Sequence, residues 1–255
     1  MPPDWLRPPW PVDQVGALMT TRQGGVSAAP FDSLNLRDGI GDDPLAVAHN
    51  QRVVSAAIGV APVWLDQIHG ATVARLTGAD AEPGAPVHRA DAAVTTERGI
   101  ACAVQVADCL PVLFAAPGGR AVGAAHAGWR GLAAGVLEAT LAQVAQAAHC
   151  EPGDVRAWLG ACIGPARFEV GPDVLAAFGV TVEEGASPRF VASSPGKWLA
   201  DLPALARDRL RAAGVADITG GNACTVSDSS RFFSFRRDRV TGRMAALIWI
   251  NDRGR

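Results

Sequence analysis

The feature that most constrains the fold of this chain is a long apolar stretch, residues 99–117, that breaks near its middle. The interruptions are Asp108-Cys109 and Pro111, and no uninterrupted apolar run approaches the ~18 residues that a membrane-spanning helix needs. A run of this length with a polar break is typical of two buried β-strands rather than of one helix. The stretch therefore predicts two core strands that meet at the break.

The rest of the chain predicts more strands than helices. Further strands are predicted over 15–22, 63–68, 72–76, 91–96, 121–126, 155–163, 231–236 and 243–250. Helices are predicted over 43–58, 132–148, 172–178 and 201–213. In the first helix, Asp42 or Asp43 is the expected N-cap, and Leu45, Val54 and Ile58 are expected to share the buried face. The elements do not alternate regularly, which favours an α+β domain with a mixed sheet and outer helices.

Length and charge narrow the classes of protein further. The 255 residues fit a single domain, 1–255, in which we expect 1–14 to be an extended arm. The net charge of -2 gives no general attraction to nucleic acid or to an anionic membrane. The first residues lack the pattern of a secretion signal, and the five widely spaced cysteines predict reduced thiols. We expect a cytoplasmic monomer or small homo-oligomer that binds neither nucleic acid nor membrane.

Three residues that can ligate a metal stand where predicted strands end. His69 and His126 each close a strand before a turn, and Cys109 stands at the break in the apolar stretch. Two imidazoles and a thiolate suit Zn²⁺ or copper, and three protein ligands leave a coordination position open for catalysis. The residues alone leave the alternative open that these are a buried cysteine and two hydrogen-bonded histidines.

Several segments together resemble one known family. They are 20–27, 33–36, 67–70, 107–111, the HAGWRG block at 126–131, 163–171 and the closing block at 232–250. Over residues 15–250 the chain resembles the YfiH family, which is also called the laccase-domain or multicopper polyphenol oxidase family. The HAGWRG block and the closing block are the most specific parts of the resemblance.

The resemblance implies a fold, an activity and a ligand set. The implied fold is a four-layer α/β/β/α mixed-sheet sandwich related to a toxin-type cysteine hydrolase. The implied activity is a purine nucleoside phosphorylase, acting on adenosine and inosine, with guanosine and methylthioadenosine as further candidates, that also deaminates adenosine. The family's two His and one Cys metal ligands match His69, Cys109 and His126. We expect zinc at this site, with copper as the alternative metal, and these three residues as catalytic.

The implied reaction gives other polar residues candidate roles. Arg22 and Arg130 are candidates for the phosphate, because a guanidinium offers a fork of donors, and we also place Arg22 among the catalytic residues. Asn35 and Gln67 are candidates for binding the ribose or the base. Asp108 could orient a ligand or cap a strand end. Each of these residues has a purely structural alternative, as does the turn 236–238, where we expect a bracing salt bridge.

Two alternative activities and a non-catalytic role remain open from the sequence. A Cys–His hydrolase acting on peptidoglycan precursors would use Cys109 as nucleophile and His126 as base. A single-copper polyphenol oxidase is also compatible with the ligands. A multicopper laccase is not, because it needs about ten histidines and the chain has five. A binding or regulatory protein that keeps the fold is the third possibility, and metal content and phosphate dependence distinguish these cases.

Overall fold

The break in the apolar stretch carries the chain from one sheet to another. In the computed structural model, which describes residues 4–10, 14–181 and 187–252, two fully buried strands, Ile100–Val106 and Leu110–Ala115, lie on either side of Asp108. Asp108 has a φ of 95°, which non-glycine residues seldom adopt. The predicted pair of buried strands is confirmed, and the two strands belong to different sheets.

The described residues form thirteen β-strands and six α-helices. The strands are β1 Val15–Met19, β2 Ala61–Val63, β3 Val73–Arg75, β4 Ala92–Thr95, β5 Ile100–Val106, β6 Leu110–Ala115, β7 Val122–Ala127, β8 Arg156–Leu159, β9 Glu169–Val170, β10 Phe190–Ser194, β11 Lys197–Ala200, β12 Ile218–Gly220 and β13 Met244–Ile250. The helices are α1 Pro44–Ile58, α2 Trp129–Ala133, α3 Val136–Ala148, α4 Pro172–Ala177, α5 Leu202–Ala212 and α6 Phe235–Asp238. Short 3-10 turns cover Gly78–Ala81, Pro117–Gly119 and Pro152–Asp154.

Two of the three sheets are mixed, so the α+β class is confirmed. The first sheet has the order β1-β13-β5-β2, in which only the β5–β2 pair is parallel. The second has the order β12-β8-β6-β7-β4-β3, with parallel pairs only at its two edges. A small antiparallel sheet, β10-β11-β9, completes the set. Within the described ranges, no helix has the length and apolar character needed to cross a membrane.

The two larger sheets pack face to face, and helices cover their outer faces. Side chains such as Val104 of β5 and Leu113 of β6 meet in one apolar cluster between the sheets. Helix α1 contributes Val54 to a second cluster on the outer face of the first sheet. Helix α3 contributes Leu141 to a third cluster, which covers the second sheet. Residues 4–10 join the first sheet, where Leu6 exchanges two backbone hydrogen bonds of 2.9 Å with Met19.

The first predicted helix is confirmed, although its buried face is only partly as predicted. Asp43 is the N-cap and accepts a hydrogen bond from the backbone N–H of Leu45. Val54 and Ile58 are buried as expected, whereas the Leu45 side chain is 78% exposed and Val47 is buried instead. The prediction for Leu45 is wrong because the residue stands in the first helical turn, on the side away from the sheet.

Three other predicted elements are wrong, and the first is the strand over 63–68, which overlaps β2 only at Val63. The helix predicted over 132–148 is two helices, because Gly135 takes a φ of 91° between α2 and α3. The strand predicted over 231–236 is a turn that leads into α6, where the Ser234 side chain caps the helix by accepting a hydrogen bond from the Arg237 backbone N–H. In the bracing turn at its end, Arg237 Nη2 lies 2.7 Å from Asp238 Oδ2, which confirms that salt bridge.

Candidate functional site

The three predicted metal ligands lie together at one end of the paired sheets. The ligand atoms of His69, Cys109 and His126 all lie within 4.8 Å of one another. The two imidazole rings meet edge to face, with centroids 4.8 Å apart. His126 lies in β7 opposite Pro111 of β6, so the antiparallel register brings the turn before β6 next to it. The sheet pairing therefore assembles a cluster from residues that are far apart in sequence.

A fully buried aspartate, Asp91, orients two of the three ligands. Its carboxylate accepts hydrogen bonds from the backbone N–H groups of Ile68 at 3.2 Å, His69 at 2.9 Å and Gly70 at 2.6 Å. Asp91 Oδ1 also lies 2.8 Å from Nδ1 of His126. The carboxylate thereby holds His69 in a left-handed turn with φ 61° and places the proton of His126 on Nδ1. Nε2 of His126 then lies on the Cys109 side of the ring, where it can ligate a metal.

The electrostatics of the cluster favour an ionised thiol. Burial raises the pKa of the Cys109 thiol, but the charge and hydrogen bonds of His126 and His69 outweigh burial and lower that pKa to about 6. Burial lowers the pKa of His126, but Cys109 and Asp91 together raise it to about 9. For Asp91, burial raises the pKa, and the hydrogen bonds from His126 and from the backbone N–H of Gly70 lower it below its usual value. The pocket therefore stabilises a thiolate, the form that binds metals.

Gly128 leaves room for the ligands. A Cβ on this residue would lie 3.0 Å from Sγ of Cys109 and 3.3 Å from Cδ2 of His69. Both distances are tighter than ordinary van der Waals contact, so a side chain here would displace two ligands. The glycine between β7 and α2 is therefore part of the site's geometry.

Asp108 supports the turn that presents Cys109. Its carboxylate accepts hydrogen bonds from Oγ1 of Thr225 at 2.6 Å, from Oγ of Ser234 at 3.1 Å and from the backbone N–H of Arg236 at 2.6 Å. These bonds connect the turn to the closing segment of the chain. Asp108 therefore anchors the backbone beside a ligand, and its hydrogen bonds go to no ligand side chain.

Two cavities meet at the cluster. One, of about 290 Å³, is lined by arginine, glutamine and the three ligands, and the other, of about 250 Å³, is mainly aromatic and aliphatic. They share His69, Ala107, Cys109 and Phe235. We call the first the arginine cavity; its lining is Arg37, Gln67, His69, Gln105, Val106, Ala107, Cys109, His126, Phe235 and Arg243. We call the second the aromatic cavity; its lining is His69, Ala107, Asp108, Cys109, Gly128, Trp129, Arg130, Ile163, Phe168, Leu202, Phe235 and Arg236.

Two of the predicted substrate residues line a cavity. Arg130 lines the aromatic cavity, with its guanidinium carbon 4.3 Å from the centroid of the Trp129 ring. Gln67 lines the arginine cavity, but its amide is occupied by the backbone of Gln105: Nε2 donates to the carbonyl at 2.9 Å, and Oε1 accepts from the N–H at 2.7 Å. Gln67 therefore braces β5. One of the two N–H groups of its amide donates to Gln105, which leaves one N–H without a partner in β5.

The other two predicted substrate residues line neither cavity. Arg22 donates to the carbonyl and carboxylate of Asp32 and to the carbonyl of Ser229, and it stacks on Phe233. Asn35 is fully buried, and its side chain makes hydrogen bonds on both sides of the amide. Three of the five N–H donors of Arg22 and the whole amide of Asn35 are bonded to the scaffold, so substrate contact by these two residues, and a catalytic role for Arg22, stay predictions.

The sequence reasoning missed residues whose importance depends on strand pairing. Asp91 stands between two alanines at the start of a buried strand, and a lone acid in an apolar run is a signal that could have drawn attention. Arg37 and Arg243 gave no such signal, because arginine is common in this chain and only the fold brings these two to one cavity.

A family model and curated relatives both match nearly the whole chain. A family model described as multi-copper polyphenol oxidoreductase laccase matches residues 16–251. A Pseudomonas aeruginosa protein named purine nucleoside phosphorylase is 49% identical over 250 residues, which cover 97% of this chain and 99% of that protein. The Escherichia coli protein named purine nucleoside phosphorylase YfiH is 49% identical over 246 residues, covering 95% of this chain and 97% of the relative.

Solved structures share the fold over nearly the whole chain. A crystal structure of a Neisseria meningitidis protein has a TM-score of 0.89 at 45% identity and covers 98% of this chain and 100% of its own. YlmD from Geobacillus stearothermophilus has a TM-score of 0.88 at 34% identity and covers 97% and 96%. With a family model and relatives that both span the chain, this protein belongs to the YfiH-like laccase-domain family.

Proposed function

We propose that this chain is a metal-dependent purine nucleoside phosphorylase. It cleaves adenosine and inosine, and also guanosine and methylthioadenosine, with phosphate to give the free base and ribose 1-phosphate, and it deaminates adenosine with water. The observation that carries the proposal is the ligand cluster at the junction of two cavities of different chemistry. The names of the relatives support it, because both curated proteins described above are called purine nucleoside phosphorylases.

The donor set fits zinc. His69, His126 and Cys109 supply two nitrogens and a thiolate, and the hydrogen bond from Nδ1 of His126 to Asp91 fixes the tautomer that leaves Nε2 as a ligand. When bound, the metal supplies positive charge that orients an oxygen nucleophile and lowers the pKa of a water. Copper suits the same donors and is the alternative.

The remaining parts of the site bind and orient the substrate. Trp129 and Phe168 line the aromatic cavity and offer flat apolar faces for a purine, from which they exclude water. Asp91 keeps the His126 proton on Nδ1, so His126 does not deliver it to the substrate. Phosphate and water are then alternative nucleophiles at one site, which accounts for two reactions on one nucleoside.

The test is a panel of nucleosides with and without phosphate. We expect base and ribose 1-phosphate only when phosphate is present, and inosine from adenosine in either case. Elemental analysis should give about one zinc per chain, and Cys109→Ala should remove it while Cys150→Ala, outside the cluster, should keep it. Release of free base that does not depend on phosphate would contradict the phosphorylase, as would full zinc occupancy in the Cys109→Ala variant.

A Cys–His hydrolase acting on peptidoglycan precursors is the second candidate. The observation in its favour is the sequence of contacts from Asp91 to His126 to a Cys109 thiol of lowered pKa, which has the geometry of a nucleophile, its base and an orienting acid. The related finer proposal for the fold is a four-layer sandwich akin to a toxin-type cysteine hydrolase. This candidate predicts activity that survives chelation and is lost as iodoacetamide alkylates Cys109.

A multicopper oxidase is the least compatible with the chain. A laccase-type enzyme needs about ten histidines for its coppers, and this chain has five, of which two belong to the cluster. His88 is engaged elsewhere, with its Nε2 2.7 Å from Oδ1 of Asp80. Copper loading followed by a polyphenol oxidation assay tests the single-copper version, and zinc-dependent nucleoside cleavage without such oxidation supports the phosphorylase.

A further inference from the structure

Two arginines converge on the arginine cavity from opposite ends of the chain. Arg37 lies in the segment between β1 and α1, and Arg243 directly precedes β13. Both line the cavity that also contains His69, Cys109 and His126. No acidic residue is among the described residues that line it. The cavity therefore presents two guanidinium groups beside the ligand cluster.

The scaffold fixes both arginines in place. Oδ1 of Asn35 accepts a hydrogen bond from the Arg37 backbone N–H at 3.1 Å and another from the Arg243 backbone N–H at 2.9 Å. One amide oxygen thereby joins the two segments. Asn35, which the sequence placed among the substrate-binding residues, is instead a positioning residue for the two arginines.

Each guanidinium is held at only some of its nitrogens. Nη1 of Arg243 donates to the carbonyls of Thr241 at 2.7 Å and Gly242 at 3.1 Å. Nη1 of Arg37 donates to Oε1 of Gln105 at 3.3 Å. A guanidinium has five N–H donors, so donors remain on both side chains for a ligand in the cavity. A fork of donors held rigid at one end is the arrangement that binds tetrahedral oxyanions well.

The guanidinium groups of Arg37 and Arg243 repel each other. Burial lowers the pKa of Arg243 and the charge of Arg37 lowers it further, and together they outweigh Cys109 and Asp108, whose negative charges raise it. The nearby carboxylate of Asp66 lies 4.0 Å from Nη2 of Arg37, but it also lies 3.4 Å from Nε of Arg89. Holding two like charges together in a cavity costs free energy, and an anion bound between them reduces that cost.

The other arginines around the site are less suited to an anion. Arg130 stacks on Trp129, and Arg236 stacks on Phe168 and donates to the carbonyl of Glu169. Both line the aromatic cavity. Arg243 makes a comparable contact with Phe235, at 5.8 Å from the ring centroid, so the difference lies in charge: the lining of the aromatic cavity includes the carboxylate of Asp108, whereas no described residue that lines the arginine cavity is an aspartate or a glutamate.

We propose that Arg37 and Arg243 bind the phosphate co-substrate in the arginine cavity, while the purine occupies the aromatic cavity. This assignment rests on the proposed phosphorylase function. A phosphate oxygen forms the new bond to the anomeric carbon of the ribose as the bond from that carbon to the purine nitrogen breaks. The bonding electrons leave with the purine, and the proton of hydrogen phosphate ends on the base. The arginines hold the phosphate on the side from which it attacks.

The first test is kinetic and uses the zinc-loaded protein. Arg243→Gln and Arg37→Gln are each expected to raise the KM for phosphate about 10-fold to 100-fold, because each loses a charge-assisted hydrogen bond. The KM for inosine should change far less, and the ratio of adenosine deamination to phosphorolysis should rise. Arg243→Lys, which keeps the charge and loses the fork, should fall between Arg243→Gln and the wild type. Arg52→Gln, on the exposed face of α1, is the matched control.

The second test measures anion binding without catalysis. Isothermal titration calorimetry with inorganic phosphate should show binding to the wild type and a loss of at least about 10-fold in affinity in Arg243→Gln. Circular dichroism checks that each variant folds. If Arg243→Gln does not fold, the affinity of Arg37→Gln for phosphate provides the test instead. Sulfate should compete with phosphate in the wild type.

The outcomes separate this assignment from the proposed function. An unchanged KM for phosphate in both glutamine variants overturns the anion site while leaving the phosphorylase intact. A raised KM in Arg130→Gln or Arg236→Gln instead overturns it in favour of the aromatic cavity. If the wild type cleaves no nucleoside but binds phosphate through Arg243, the phosphorylase fails and the anion site stands.

Discussion

The arginine cavity and the aromatic cavity differ in what they can bind, although they meet at the same cluster of His69, Cys109 and His126. The first offers the charged forks of Arg37 and Arg243, and the second offers the flat faces of Trp129 and Phe168. A charged oxyanion and an apolar ring need opposite surroundings, since a guanidinium binds an anion favourably and an aromatic wall favours an uncharged group. On the proposed assignment, the site separates phosphate and purine by polarity and brings them together only at the cluster.

The two sides also differ in how their walls are built. The arginine cavity depends on contacts between distant segments, with Asn35 bonded to Arg243 across 208 residues of sequence. The aromatic cavity takes Trp129 and Arg130 from the start of α2, which follows β7, so part of its wall is local to His126. A substitution at Asn35 should therefore alter binding in the arginine cavity more than binding in the aromatic cavity.

Removing a shared ligand should produce the largest effect, because both cavities serve the same cluster. In His69→Ala we expect phosphorolysis and deamination to fall together by more than about 100-fold, since even groups that only support a metal ligand are worth 10-fold to 100-fold. Zinc content and both activities are measured on the same preparation, with His49→Ala on the exposed face of α1 as the control. Activity that persists in the zinc-free variant would instead favour the Cys–His hydrolase, which needs no second histidine.

Asp91→Asn should weaken the cluster without touching either cavity wall. The amide cannot accept all the hydrogen bonds that Asp91 receives from His126 and from the backbone of His69 and Gly70, so we expect zinc affinity to fall about 10-fold to 100-fold. Competition with a chelator measures that affinity. Equal losses in phosphorolysis and deamination would agree with a cluster that serves both cavities. A loss confined to one reaction would show that Asp91 supports one cavity only.

The same aspartate should give the wild type a distinct acid sensitivity. Because the folded pKa of Asp91 is lowered, its ionised form stabilises the fold fully above the ordinary carboxyl pKa of about 3.9, and this contribution is lost as the pH falls through the folded value. Thermal unfolding between neutral and acid pH should therefore show a steeper loss of stability in the metal-free wild type than in Asp91→Asn. Parallel curves would mean that folding does not lower the pKa of the Asp91 carboxylate.

Phe168→Leu tests the aromatic side alone. The leucine keeps the wall apolar and loses the flat face, so the KM for inosine should rise about 10-fold, in the range of aromatic stacking on a nucleic acid base. The KM for phosphate should move little. Phe178→Leu, which removes a ring that packs on Phe190 outside the cavity, is the matched control. A larger change for phosphate than for inosine would reverse the assignment of the two cavities.

The sequence predicted the parts of this molecule that are encoded locally. The break at Asp108 and the Asp43 cap each depend on a residue and its near neighbours, whereas the strand expected before His69 ends earlier, at Val63. The helix predicted across Gly135 failed because apolar spacing continued through a residue that the backbone uses to turn. The strand predicted over 231–236 failed because the capping role of Ser234 was hidden in an apolar segment.

The finer chemistry could not be predicted because it depends on pairing between distant strands. β4 pairs with β7, with Ala92 opposite Ala125, and only this register places Asp91 beside His126. Arg22 and Asn35 were reasonable candidates by residue type, but the fold places both outside the two cavities and bonds them to partners as distant as Ser229 and Arg243. A residue's chemical type indicates what it can bind, and the fold decides whether its atoms are free to do so.

The smallest effect is expected at Phe235, which lines both cavities and is 47% exposed. Its ring lies 5.8 Å from the guanidinium carbon of Arg243, so it contributes a weak cation–π contact on one side and apolar surface on the other. In Phe235→Leu we expect the KM values for phosphate and for inosine each to rise about threefold, the amount that an exposed cation–π contact is worth. Val191→Ala, another exposed apolar residue far from the cluster in sequence, is the control. A rise in only one of the two KM values would assign the ring to that cavity and place the boundary between them elsewhere, whereas equal rises locate the boundary at this residue.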